Sequence, residues 1–155
     1  METLVNQPDR TTYRCWAIIL EIERFISEYG NSQFETRRKY YSNYYLQLMR
    51  LLESDQILLQ RDLDGKLIGI CGWLRVNKDD EWKINKTTWA TPDDITTGDE
   101  LYISFCILTT GSVWEIRREL KKRYASEIDE VFWTDVPHKR YVRIKNIMKD
   151  NNKEN

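Results

Sequence analysis

Residues 101–113 read Leu101-Tyr102-Ile103-Ser104-Phe105-Cys106-Ile107-Leu108-Thr109-Thr110-Gly111-Ser112-Val113. The run from Leu101 to Leu108 is nearly continuous in apolarity, which predicts a strand covered on both faces and so central in its sheet. Thr109, Thr110 and Gly111 end the run. Val113, Ile116, Leu120 and Tyr124 then recur at helical spacing, predicting a helix over Ser112–Tyr124. A strand that opens through a small-residue turn onto a helix start leaves backbone N–H groups pointing outward, where they can hold an anion. Ser112 with Glu115 three residues on also has the form of a capping box, which would spend one donor and put a carboxylate beside any incoming phosphate. The turn is therefore readable either as an anion cradle or as an occupied helix cap.

Working outward from this stretch, Gln56–Asp62 and Lys66–Val76 predict a hairpin around Leu63-Asp64-Gly65, where Gly65 supplies a positive φ. Gly69 and Gly72 inside its second strand point to a bulge or a close backbone approach. Asn77–Glu100 is a polar excursion punctuated by Pro92 and Gly98, with a short helical turn expected at Pro92-Asp93-Asp94. Val131–Thr134 predicts a strand, Pro137 a break, and Tyr141–Ile147 a last strand. Two helices are expected before the hairpin. Asp9–Tyr29 carries Cys15, Ile18, Ile19, Ile22, Phe25, Ile26 and Tyr29 at helical spacing, with Gly30 as its stop. A second begins at Ser32, capped through Glu35, and runs through Leu52.

With 155 residues the chain is expected to form one domain over 1–150, with a frayed polar tail at 151–155. Its 41% hydrophobic and 32% charged residues are those of a soluble globular protein, and six Trp and nine Tyr supply large core or interface anchors. A formal net charge of -1 provides no general attraction for nucleic acid. Basic residues outnumber acidic ones between Ser112 and Lys149 and the reverse holds from Glu53 to Glu100, so a mildly basic C-terminal face is expected. Cys15, Cys71 and Cys106 are widely spaced in apolar surroundings, which favours buried free thiols over a metal site. The absence of a secretory pattern or a membrane-length apolar run sets the expectation of a cytoplasmic protein, with no membrane partner.

Gly69-Ile70-Cys71-Gly72-Trp73, Pro92-Asp93-Asp94-Ile95-Thr96-Thr97-Gly98-Asp99 with Tyr102, Leu108-Thr109-Thr110-Gly111, and the basic helix bearing Arg117, Arg118, Lys121, Lys122 and Arg123 occur in a telling order. Over Leu58–Ile144 this order resembles the toxin-activating lysine-acyltransferase family, a divergent branch of the N-acetyltransferase-like superfamily. The resemblance implies an α+β fold, a mixed and mainly antiparallel sheet of five to six strands flanked by helices. It implies acyl transfer from a thioester donor, acyl-CoA or acyl carrier protein, to an amine, with no other cofactor. It places the coenzyme A pyrophosphate on Thr109, Thr110, Gly111, Ser112 and Val113. The family's catalytic His and Asp are missing: the sole His is His138, and the Asp position falls on Phe105 or Ser104. Shorter relatives of this kind occur among bacteriophage genes, so a phage-encoded protein of the host cytoplasm or virion is one reading.

Ser104, Cys106 and Glu28 are the remaining candidates for catalysis, as nucleophiles or as a replacement base, each weighed against simple strand packing or a solvated helix face. Tyr40, Tyr41, Tyr44 and Tyr45 beside Arg37 and Arg38 cannot all face one core, since adjacent helical positions are rotated by about 100°. An exposed aromatic-basic patch is expected there, suited to a protein partner or to self-association. Two functions follow: an acyltransferase, or an inactive acyltransferase-like scaffold that acts by binding or as a structural component.

Overall fold

The computed structural model describes residues 4–6, 12–30, 44–80, 96–135 and 140–145. They form six strands, β1 (Leu4–Asn6), β2 (Ile57–Arg61), β3 (Leu67–Val76), β4 (Glu100–Leu108), β5 (Glu130–Asp135) and β6 (Arg140–Lys145). Three α-helices accompany them, α1 (Thr12–Tyr29), α2 (Tyr44–Glu53) and α3 (Val113–Tyr124). The strands lie in one sheet in the order in which they occur along the chain, and every neighbouring pair is antiparallel except β4 with β5. Short links join β2 to β3 and β5 to β6 as antiparallel neighbours, and α3 is the crossover that the parallel pair requires.

The expected hairpin, central strand, following helix and last strand all form. Asp62 holds the hairpin turn by accepting at Oδ1 from the N–H groups of Asp64 and Lys66, each at 2.9 Å. Gly65 has φ +83, as that turn requires. Gly30 ends α1 as expected, but by a different device. Its N–H donates to Ile26 O at 2.7 Å, and a Cβ there would collide with that same carbonyl, so the position needs a missing side chain and no left-handed φ. β1 was not expected: three residues carry too little pattern to read, and pairing with β2 alone defines them. The Ser32–Glu35 box and the turn at 92–94 lie outside the described residues.

Two cores sandwich the sheet. On one face Ile19, Ile22, Phe25 and Ile26 of α1 and Leu48, Leu51 and Leu52 of α2 pack on Ile57, Leu59, Ile70, Tyr102, Phe105, Ile107 and Phe132. On the other, Ile116 and Leu120 of α3 cover Leu58, Cys71, Trp73, Leu101 and Val131. Within β4 the faces exchange midway. Leu101 and Ile103 serve the α3 core, whereas Phe105 and Ile107 serve the opposite one, although strict alternation would put all four together. The register explains this: Trp73 opposes Ile103 and Gly72 opposes Phe105, so Ser104 is an extra residue, a β-bulge. Gly72 makes room for it, since a Cβ there would stand 2.5 Å from Phe105 Cζ.

Candidate functional site

The site grows from the junction of β4 with its parallel neighbour. Pairing with β5 covers only Glu100, Leu101 and Tyr102 against Glu130, Val131 and Phe132. β4 then continues through the Ser104 bulge to Leu108 and into the turn that starts α3, alongside β3 but past the β5 ladder. The two strands thus form a fork whose long arm leads to a helix N-terminus.

That turn is built by Gln60, a residue the sequence reading passed over. Gln60 lies wholly buried in β2, and its side-chain amide makes two reciprocal bonds with the backbone of Ser112. Gln60 Nε2 donates to Ser112 O at 2.7 Å, and Ser112 N–H donates to Gln60 Oε1 at 2.9 Å. Gly111 must be glycine for this clamp, because a Cβ would overlap Gln60 Oε1. A second clamp comes from the carbonyl of Ile68, the residue skipped where the β2–β3 register slips between Gln60 and Arg61. Ile68 O accepts from both the N–H and the hydroxyl of Thr109, at 2.9 and 3.0 Å. A lone amide side chain after Ile57-Leu58-Leu59 was the available signal, since a buried polar group must find partners.

Thr109, Thr110, Gly111, Ser112 and Val113 are therefore brought together in one turn, as expected. The capping box is not formed. Ser112 does occupy the N-cap position with extended φ and ψ of -115 and 124, but its side chain makes no capping hydrogen bond. Gln60 holds the Ser112 backbone in a place that leaves the hydroxyl out of the cap. The objection that Ser112 spends a donor of the helix start thus falls, while Glu115 does sit in the first turn. Ser112→Ala should accordingly change unfolding free energy by less than about 0.5 kcal/mol, as at an ordinary surface position. Gln60→Leu should cost about 1–3 kcal/mol, because it strands the Ser112 N–H in a half-buried site and leaves the Ser112 carbonyl only its bond from Ile116 N–H. Urea unfolding of the two variants side by side measures the contrast.

Of the other candidates, Ser104 is the half-buried bulge residue, and Glu28 is exposed near the end of α1. Cys106 lies on the α3 side of the sheet, opposite Cys71, so the sheet separates it from α1 and Glu28. These three do not form one constellation. Cys106 also departs from the expectation of buried thiols: it is exposed, while Cys71 is buried as expected. His138, Arg37, Arg38, Tyr40 and Tyr41, and the side chains of Cys15, Tyr44 and Tyr45, lie outside the described residues.

A pair of carboxylates was missed. Glu100 and Glu130 stand opposite one another at the base of the fork, and both are buried. Alternation puts them on the face of Tyr102 and Phe132, toward α1 and α2. Arg143 Nη1 meets Glu130 Oε1 at 3.3 Å, and its guanidinium lies over the Phe132 ring. Glu130 is thus tied to a cation. No helix among the described residues is long and apolar enough to cross a membrane.

No protein-family model and no curated protein sequence matches the chain. Among solved structures it is similar to the loading GNATL domain of CurA from Lyngbya majuscula, at 12% identity and a TM-score of 0.53. That match covers 86% of this chain and 65% of the other, so the chain spans just under two thirds of the structure it resembles. A GNAT-family acetyltransferase from Listeria monocytogenes aligns over 86% of this chain and 76% of its own, at 16% identity and a TM-score of 0.49. At such identities likeness speaks of architecture, and the first of these matches together with the strand order and parallel fork shows an N-acetyltransferase-like fold.

Proposed function

We propose that the protein is an acyltransferase that moves an acyl group from a coenzyme A or carrier-protein thioester to an amine. The observation that carries this reading is the fork: β4 runs from Ile103 to Leu108 beyond its three-residue pairing with β5 and delivers the chain to the start of α3. Six residues of strand span roughly 20 Å at about 3.3 Å each. An extended, amide-bearing arm can lie beside such a strand as a further strand would. Its phosphate end would meet the first-turn N–H groups of α3, where the helix dipole favours negative charge and no serine cap competes.

The chemistry needs one proton acceptor. The amine nitrogen attacks the thioester carbonyl, the donor thiolate leaves, and the proton lost by the nitrogen must go to a base. Glu100 is the residue proposed for this, because it is buried at the base of the fork on the face toward α1 and α2. It would replace the His and Asp that the toxin-activating acyltransferases use. If that closer resemblance holds, the acceptor is the side-chain amine of a protein lysine.

The alternative is a scaffold, of phage origin or otherwise, that binds a protein partner without acylating it. Trp16 and Leu20 favour it, since they lie one turn apart on α1 and are 50% and 66% exposed. Calorimetric titration with acetyl-CoA and with a long-chain acyl carrier protein separates the two. Saturable heat with either donor is expected. Silence with both would sink the acyltransferase reading and leave the scaffold.

A further inference from the structure

Cys71 and Cys106 were far apart in the sequence and became a pair in the fold. They face one another in the register of β3 and β4, one step from the Ser104 bulge. Directly opposed residues of antiparallel strands have Cα atoms about 4.5–5.5 Å apart and side chains on the same face. A disulfide spans Cα separations of about 4.4–6.8 Å. Both thiols are free, Cys71 buried under α3 and Cys106 exposed.

We infer that Cys71 and Cys106 form a peroxide-reactive dithiol, with Cys106 as the attacking thiol and Cys71 as the resolving one, which closes into a disulfide between β3 and β4. The division of labour follows from access. A peroxide can reach Cys106 but not Cys71, and a resolving thiol must already lie beside the first. Their interaction sharpens the difference. The hydrogen bond from Cys71 holds the Cys106 thiol below its ordinary value, against burial, which acts upward. Cys71 is pushed well above the ordinary value, first by its hydrogen bond to Cys106, then by burial and by the charge on Cys106. The thiolate therefore resides on the exposed sulfur, the form and place that oxidation selects.

The steps balance. The Cys106 thiolate attacks one oxygen of hydrogen peroxide, the O–O bond breaks, and sulfenic acid forms with release of hydroxide. Cys71 sulfur then displaces the sulfenic hydroxyl, an S–S bond forms, and the departing hydroxide takes the Cys71 proton and leaves as water. Each sulfur gives up one electron, and one peroxide becomes two waters once the first hydroxide takes up the proton that Cys106 lost on ionising. This dithiol lies on the α3 face and does not depend on acyl transfer.

The test is peroxide treatment of the reduced full-length chain carrying Cys15→Ser, followed by intact mass and a non-reducing peptide map. A loss of two mass units and a Cys71–Cys106 linked peptide are expected, reversed by dithiothreitol. Cys71→Ala should stop at a sulfenic acid on residue 106 that dimedone traps, and Cys106→Ser should not react. The pH midpoint of the oxidation rate should lie below the ordinary thiol value of 9.0 and rise in Cys71→Ala, which lacks the hydrogen-bond donor. Sulfinic acid at Cys106 with Cys71 still reduced, or no reaction at all, overturns the proposal. Circular dichroism of each variant shows that the fold is retained.

Discussion

Glu100→Gln should slow acyl transfer about 100- to 10,000-fold, the usual contribution of a positioned general base. Glutamine keeps the shape of the side chain and its hydrogen-bonding capacity but cannot take a proton from the attacking amine. Donor binding should be unchanged, because the phosphate end of the donor meets the start of α3 and Glu100 stands at the opposite end of β4. Single-turnover transfer from a donor that the titration has shown to bind, to a small primary amine, measures the effect. An unchanged rate would remove Glu100 from the mechanism. A loss of donor affinity with an unchanged rate at saturation would make it a structural residue at the base of the fork. Glu130→Gln is the informative companion: Arg143 already neutralises that carboxylate, so its removal should act on stability more than on rate.

Phe132→Ala should destabilise the fold by about 3–5 kcal/mol, the range for removing a buried phenylalanine from a core. Phe132 is fully buried and is the last residue of β5 to pair with β4. Its ring lies 5.2 Å from that of Tyr102 on the paired strand, and Arg143 covers it at 4.5 Å. The truncation therefore opens a cavity where the parallel strands begin to part, and uncovers the aliphatic core beneath α1 and α2. Domains are stable by only about 5–15 kcal/mol, so such a loss lowers the melting temperature steeply. Thermal unfolding of Phe132→Ala beside Phe132→Leu provides the reading, with the leucine variant expected to lose clearly less. Equal losses would mean that ring contacts rather than volume hold the fork together. No loss would place Phe132 outside the core.

The elements themselves were largely written in local pattern. Asp64-Gly65 between apolar runs marks a hairpin because the turn needs a positive φ, and Gly65 has it at +83. The apolar run from Leu101 to Leu108 marks a central strand because only a strand covered on both faces can bury alternate residues on each side. The stripe of Val113, Ile116, Leu120 and Tyr124 marks α3; Ile116 and Leu120 are buried and Tyr124 is half-buried, whereas Val113 at the helix start is exposed. Each of these readings uses residues within a few positions of one another, and such information is present before the chain folds.

The site was legible only in part. That Thr109–Val113 forms a turn at a helix start was readable, but how the turn is held was not. Ser112 and Glu115 satisfy the spacing of a capping box, and Gln60, 52 residues away in sequence, takes the Ser112 backbone instead. The bulge at Ser104 was equally hidden, because an extra residue is defined only by its partner strand, and with it the faces of Phe105 and Ile107 exchange. Glu100 beside Glu130, and Cys71 beside Cys106, are pairs made by register alone. The sequence by itself determined which segments are strands and helices, through periodicity and turn chemistry. Tertiary structure decided which side chains meet, because cross-strand pairing joins residues whose separation along the chain carries no signal of their contact.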